Sequence, residues 1–225
     1  MSREQSVTSA LRIALFAALI PALMTGCIFS PDKDVDIVPP EAPKVIASPA
    51  DLVQTLALAY RTQNIDMFTK LLANDAENKA EYLFILDPSA EAGDPQWGYV
   101  EEVRVHQRMF EPQDTPPGQL PVPLELWLES ISITLTADNS FSERTDLYES
   151  TQNPTGLNPA KWKATDAIYS TDVLFDLQGG TDFQVTGNAN FVVIEDLTKE
   201  VGDEGKFLLL TWNDLAQKPS LGLPS

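Results

Sequence analysis

Apolar residues first recur at helical spacing after Ser48-Pro49-Ala50-Asp51. Leu52, Leu56, Ala59 and Tyr60 fall on one stripe, widened by Val53, and predict a helix from residue 49 to about residue 63. Its start is well specified. Ser48 accepts from a free backbone N–H, Pro49 suits the first helical position, and Asp51 reaches back as the acid of a capping box. Asn64 then caps a second, shorter helix over residues 65–72, with Asp66 near its positive end and Met67, Phe68, Leu71 and Leu72 on its apolar face.

Further on the period changes. Residues 81–86 (EYLFIL) read as a strand stopped by Asp87-Pro88, and Gly93-Asp94-Pro95 as a turn. Residues 97–110 (WGYVEEVRVHQRMF) read as a third helix with Tyr99, Val103, His106 and Phe110 on one face, followed by a proline-rich loop from Thr115 to Pro123. Residues 124–136 alternate with a period close to two, and the step from Leu128 to Ile131 predicts a bulge near Glu129-Ser130. Residues 138–163 are irregular. Residues 165–177 alternate again, Gly179-Gly180 makes a hairpin turn, residues 183–194 return, and residues 206–214 form the last strand. Helices first and long strands afterwards predict an α+β fold, a curved antiparallel sheet packed around N-terminal helices.

The charge balance narrows the partners. The chain has 225 residues, 15 basic and 33 acidic, for a net charge of −18. Such a field repels phosphate backbones and anionic headgroups, which excludes nucleic acid as a partner and electrostatic docking to a membrane. No calcium-loop spacing organises the acids, so they read as a solvated surface. With one histidine and one cysteine, no metal site and no cofactor is expected.

The single cysteine is informative by position. Arg3 and Arg12 precede an apolar run over residues 13–24 (IALFAALIPALM), about a dozen residues where a bilayer span needs about 20. Leu23-Met24-Thr25-Gly26-Cys27 resembles the lipobox of bacterial lipoproteins, with Met24 where leucine is usual. That resemblance implies a signal peptide over residues 1–26, cleavage before Cys27, and lipid on its sulfur and new amine. It places the chain in the bacterial cell envelope, anchored to a membrane through Cys27. Ile28, where an aspartate would favour the inner membrane, favours the outer one. Residues 27–47, rich in Pro and Asp, read as a tether, residues 48–217 as the folded domain, and residues 218–225 as a tail.

The element order resembles the SnoaL-like superfamily, also called nuclear transport factor 2-like. The resemblance is carried by the broken opening helix (Leu56 to Arg61, then Asn64 to Phe68), the aromatic and acidic helix before the long strands, and the closing Phe207-Leu208-Leu209-Leu210-Thr211-Trp212. It implies a sheet wrapped into a cone around the long helix, with an apolar pocket inside. It implies no particular activity, because this fold hosts isomerases, cyclases, dehydratases and members that only bind or dimerise.

Chemistry is sparse. His106 is the one candidate for a general base, and it needs a partner carboxylate and a cavity. Asp172, Asp176 and Glu125 lie on candidate strands where alternation decides whether a carboxylate points inward. Tyr82, Trp127, Tyr169, Phe175 and Trp212 are candidates to line a pocket, with core packing as their alternative role. The expected function is a membrane-tethered envelope lipoprotein whose domain binds a small apolar ligand or another envelope protein without catalysis. Two alternatives stand beside it: acid–base chemistry on a hydrophobic substrate, and a homodimer paired through the outer face of residues 165–194.

Overall fold

The computed structural model describes residues 45–86, 96–113, 120–148, 157–180 and 182–215. The leader, Cys27, the tether up to residue 44, the turn at residues 93–95, loop residues 114–119 and the tail at 218–225 lie outside the described residues.

Helix α1 (Pro49–Arg61) begins as its sequence requires. The Ser48 hydroxyl accepts from Asp51 N at 3.2 Å, and the Asp51 carboxylate accepts from Ser48 Oγ at 2.8 Å and Ala47 N at 3.1 Å. The acid therefore reaches one residue beyond the cap's own N–H, with the same oxygen accepting from the Ser48 hydroxyl and Ala47 N. Helix α2 (Ile65–Lys70) is capped by Asn64, whose Oδ1 accepts from Met67 N at 2.8 Å. A one-turn helix α3 (Asp75–Asn78), unforeseen in the sequence, is capped by Asn74 and closed by Lys79 at φ 60°.

Strand β1 (Leu83–Ile85) pairs with β2 (Gln96–Gly98), and α4 (Tyr99–Phe110) starts directly from it. The expected helix start at Trp97 is thus corrected to Tyr99. Trp97 pairs across the strands with Phe84, ring stacked on ring at 4.5 Å and 14°, and that contact holds the backbone extended. Gly98, in extended backbone, is the N-cap of α4, and the Glu81 carboxylate lies over the space its missing side chain leaves.

The long strands are β3 (Leu128–Ala137), β5 (Trp162–Leu177), β6 (Phe183–Asp196) and β7 (Phe207–Leu215), with the two-residue β4 (Ser142–Glu143) added beside β5. The seven strands form one curved, open sheet, six of them in the order β2-β1-β7-β6-β5-β3 and β4 paired with β5 off this path. All pairs are antiparallel except β1 with β7, which are parallel (Phe84↔Trp212). The β5–β6 hairpin runs without a register break from Trp162↔Asp196 to Phe175↔Phe183. The bulge expected near Glu129-Ser130 is present, and a second sits at Val192/Val193 opposite β7. A further correction concerns residues 124–127. Leu124–Leu126 form a 3-10 turn with exposed leucines, in which the N–H groups of Leu126 and Trp127 turn back to the Pro123 and Leu124 carbonyls at 2.9 and 3.1 Å instead of joining the ladder.

The core lies between α1 and the face of the sheet that carries Ile131, Ile133, Tyr169, Val173 and Phe191. In β6 and β7 the runs Phe191–Ile194 and Phe207–Leu210 are buried on consecutive residues, so both sheet faces are covered there, and each such side chain contributes roughly 1.5–3 kcal/mol. The outer face of β5 and β6 is polar. Asp166 accepts from Asn190 at 3.0 Å, Ser170 donates to Asp138 at 2.9 Å, and Asp172 accepts from Gln184 at 2.9 Å. Arg144, from the stretch expected to be irregular, binds both oxygens of Asp146 at 2.8 and 2.7 Å and Asp166 at 2.9 Å.

Candidate functional site

His106 lies inside the core, 5% exposed, between elements that each contribute one aromatic. Phe68 of α2 stacks on its ring at 3.9 Å, and Tyr60 of α1 and Phe110 of α4 meet it edge-on at 5.3 and 5.5 Å. One helical turn before it, on the same face of α4, stands Glu102, 1% exposed. The inward face of α4 is therefore Glu102, His106 and Phe110. The expected stripe of Tyr99, Val103, His106 and Phe110 does pack against the core, with Tyr99 and Val103 half-buried at its edge, and Glu102 joins it at its most buried part.

The hydrogen bonds fix the protonation pattern. His106 Nδ1 lies 3.0 Å from the Glu102 carbonyl oxygen, which can only accept, so Nδ1 carries the proton. Nε2 is then an acceptor, and it receives the Tyr60 hydroxyl at 2.5 Å. The Glu102 carboxylate accepts from the Tyr82 hydroxyl at 3.3 Å and from the Trp97 indole N–H. Burial drives the two titrating groups toward neutrality. The Glu102 carboxyl is pushed up to about 7, its two donors opposing the shift, and His106 is pushed down to about 4 against its backbone bond to Glu102. Tyr60 and Tyr82 are both raised, by burial first and by the Glu102 charge second. His106 Nδ1 and Glu102 Oε1 lie 3.6 Å apart, but a neutral imidazole meets the carboxyl group as a dipole, so this is not an ion pair.

A carboxyl titrating near neutrality is suited to proton transfer, yet transfer to a substrate needs access. Four cavities lined by described residues open elsewhere on the surface, and none of these four is lined by Tyr60, Tyr82, Trp97, Glu102 or His106. The arrangement is a polar knot that closes the core, with each ring nitrogen of His106 engaged by the protein itself.

The other sequence candidates divide around this knot. Tyr82 belongs to it. Trp212 packs against Tyr60 at 6.1 Å and Phe191 at 5.0 Å, and Tyr169 joins through Phe191 at 5.4 Å. Phe175 is half-buried beside Val173 on the same sheet. Trp127 stands apart, its indole donating to the Val122 carbonyl at 2.9 Å. Asp172 and Asp176 alternate with the buried Val173 and Leu177 and face away from the core, and Glu125 is exposed. None of the three is bonded to His106. Among the described residues no group of three or more His, Cys, Asp or Glu is placed to hold a metal. Sequence reasoning missed Glu102 and the hydroxyl of Tyr60. For Glu102 the i, i+4 spacing to His106 was the available signal, masked by the adjacent Glu101, which faces out to pair with Arg104.

The fold and the knot together define an α+β domain with a helix-covered sheet and an internally satisfied histidine–carboxyl pair. No protein-family model matches the chain, and no curated protein matches it. Among solved structures the chain is similar to a conserved protein from Planctomyces limnophilus at 10% identity, covering 73% of this chain and 89% of that one with a TM-score of 0.45. It is also similar to a nuclear transport factor 2-like superfamily protein from Salmonella enterica (9% identity, 78% and 93% covered, TM-score 0.43). A third is a hexachlorocyclohexane dehydrochlorinase (10% identity, 78% and 88% covered, TM-score 0.41). Likenesses at these TM-scores assign neither a family nor an activity to this chain.

Proposed function

We propose that the protein is a membrane-tethered binding module of the bacterial cell envelope, with a cone-like domain of the nuclear transport factor 2-like kind that performs no catalysis. The observation that carries this reading is the state of His106. The chain's one histidine is buried, neutral, and hydrogen-bonded at both ring nitrogens to Tyr60 and Glu102. Enzyme readings of this fold would draw first on that residue, and it is committed to the core. The tether rests on the lipobox-like Leu23-Met24-Thr25-Gly26-Cys27. Two or more acyl chains on Cys27 would hold the domain firmly, at about 0.8 kcal/mol per buried methylene, while one chain would hold it marginally.

The test is expression of the full chain in a bacterium fed labelled palmitate, followed by membrane fractionation. Wild type takes up label and sediments with outer membranes, and Cys27→Ala does neither. Unlabelled wild-type protein in the soluble fraction would overturn the tethered reading.

A further inference from the structure

On the side of α4 away from the knot, the helix forms one bank of an open groove of about 790 Å³. Val105 and Met109 give that bank an apolar floor, and Arg104 and Arg108, one turn apart, stand beside them. The facing bank is Leu120, Val122 and Leu126. It is held in place from both sides: Arg108 donates to the Leu120 carbonyl at 3.3 Å, and the Trp127 indole donates to the Val122 carbonyl at 2.9 Å. The apolar groups are costly where they stand. Leu120 is 84% exposed, Leu126 53% and Val105 43%, with Leu124 exposed next to them. A contiguous apolar patch with a polar rim is the signature of a binding surface.

We propose that this groove binds the acyl chain of a long-chain carboxylate, with the carboxylate drawn to Arg104. The proposal rests on the reading of the domain as a binding module and names its site and ligand class. Charge complementarity selects the headgroup. In a chain of net charge −18, two arginines stand on one bank of this groove. Arg104 makes an exposed i, i+3 pair with Glu101, which does not line the groove, so a carboxylate in the groove shares the guanidinium with Glu101 and does not have to displace a buried partner. Arg108 acts as the clamp of the facing bank. The same net charge selects against an acidic peptide. Each added anionic residue meets the repulsion of the whole surface, whereas a monoanion meets it once and takes most of its affinity from its apolar tail. The volume lies within the range of small-molecule sites.

The test is photolabelling of the full chain by a diazirine-bearing dodecanoate below its micelle concentration, with the labelled residues mapped by mass spectrometry. Label is expected on the peptides holding Val105, Met109, Leu120 and Leu126. It falls by about tenfold or more in Arg104→Glu and in Leu126→Asp, and the corresponding alcohol labels less than the carboxylate. Circular dichroism checks that both variants fold, and the exposed Arg104 site keeps the test valid if Leu126→Asp does not. Label confined to the sheet face at Phe183 and Val185 would overturn the groove while sparing the binding-module reading. Absence of specific label, or equal labelling by the alcohol, would overturn the groove and its headgroup selection respectively. Displacement of label by an acidic, leucine-rich peptide at lower concentration than by dodecanoate would overturn the small-molecule occupant in favour of a protein.

Discussion

The Tyr60 hydroxyl lies 2.5 Å from His106 Nε2, joining α1 to α4 across the aromatic core. Both partners are buried, so the bond has no water to replace it. Tyr60→Phe keeps the ring contacts to Phe68, Phe110 and Trp212 and removes only the donor. The expected cost is about 1–3 kcal/mol, the penalty of a buried acceptor left unpaired. Urea unfolding checks it. The midpoint falls and the slope is unchanged, and a variant as stable as wild type would show that Nε2 finds another donor.

The knot makes a specific prediction about pH. Glu102 titrates near 7 in the fold against about 4.5 when free, so its contribution is fully present below 4.5 and is lost as pH rises through 7. His106 titrates near 4 against 6.5, so its contribution is present above 6.5 and is lost as pH falls through 4. Between 4.5 and 6.5 the two slopes oppose each other, and wild type shows little net dependence from this pair. Glu102→Gln unmasks His106, and the variant loses stability relative to wild type as pH drops from 7 toward 4.5. His106→Phe unmasks Glu102, and the variant gains stability over the same interval. Each difference is on the order of 3 kcal/mol across the full range. Urea midpoints measured from pH 4 to 8 decide the matter, and profiles parallel to wild type would refute the assignment.

How much of this was legible in the sequence depended on whether the signal was local. The caps at Ser48 and Asn64, the bulge beside Glu129 and the turn at Gly179-Gly180 each follow from side chains within four residues, and all were readable. Helix α4 was misplaced by two residues because the Phe84–Trp97 stack is a contact between strands that no local period records. The parallel pairing of β1 with β7 joins Leu83 to Thr211, far apart in the chain, and a three-residue strand carries too little pattern to name its partner. The site fared likewise. His106 stood out because it is unique, and Tyr82 was named only as an aromatic that could line a pocket; the structure places both in the knot. The Glu102 carboxyl and the Tyr60 hydroxyl were not found, since their role exists only once α1, β2 and α4 have packed.

The β5–β6 turn offers a test of backbone packing. A Cβ built on Gly179 would lie 2.7 Å from the Glu125 carbonyl oxygen and 3.3 Å from its Cα, so the obstacle is backbone. Gly179 N also donates to that same carbonyl at 3.1 Å, tying the turn to the 3-10 segment. Gly179→Ala therefore pushes residues 124–126 away and costs about 1–3 kcal/mol. Gly180→Ala, at φ 73° with no atom near its Cβ, carries only the left-handed strain of about 1 kcal/mol. Thermal unfolding of the two variants should rank Gly179→Ala as the less stable. The reverse order would place the close approach at Glu125 in doubt.

The sealed state of His106 is open to direct chemical measurement, because the chain holds no second histidine. Diethyl pyrocarbonate attacks a neutral imidazole nitrogen that reaches solvent. Nε2 is the unprotonated nitrogen of the neutral ring, but its lone pair accepts the Tyr60 hydroxyl and the ring lies under Phe68, so modification requires the core to open. The native chain should react more slowly than the unfolded chain by a factor of about a thousand or more, set by the opening equilibrium. Tyr60→Ala, which removes the ring covering Nε2, should restore much of the rate while the domain remains folded. A native histidine that reacts as fast as the unfolded one would mean that a path from solvent reaches Nε2, and acid–base chemistry at His106 would then displace the binding-module reading.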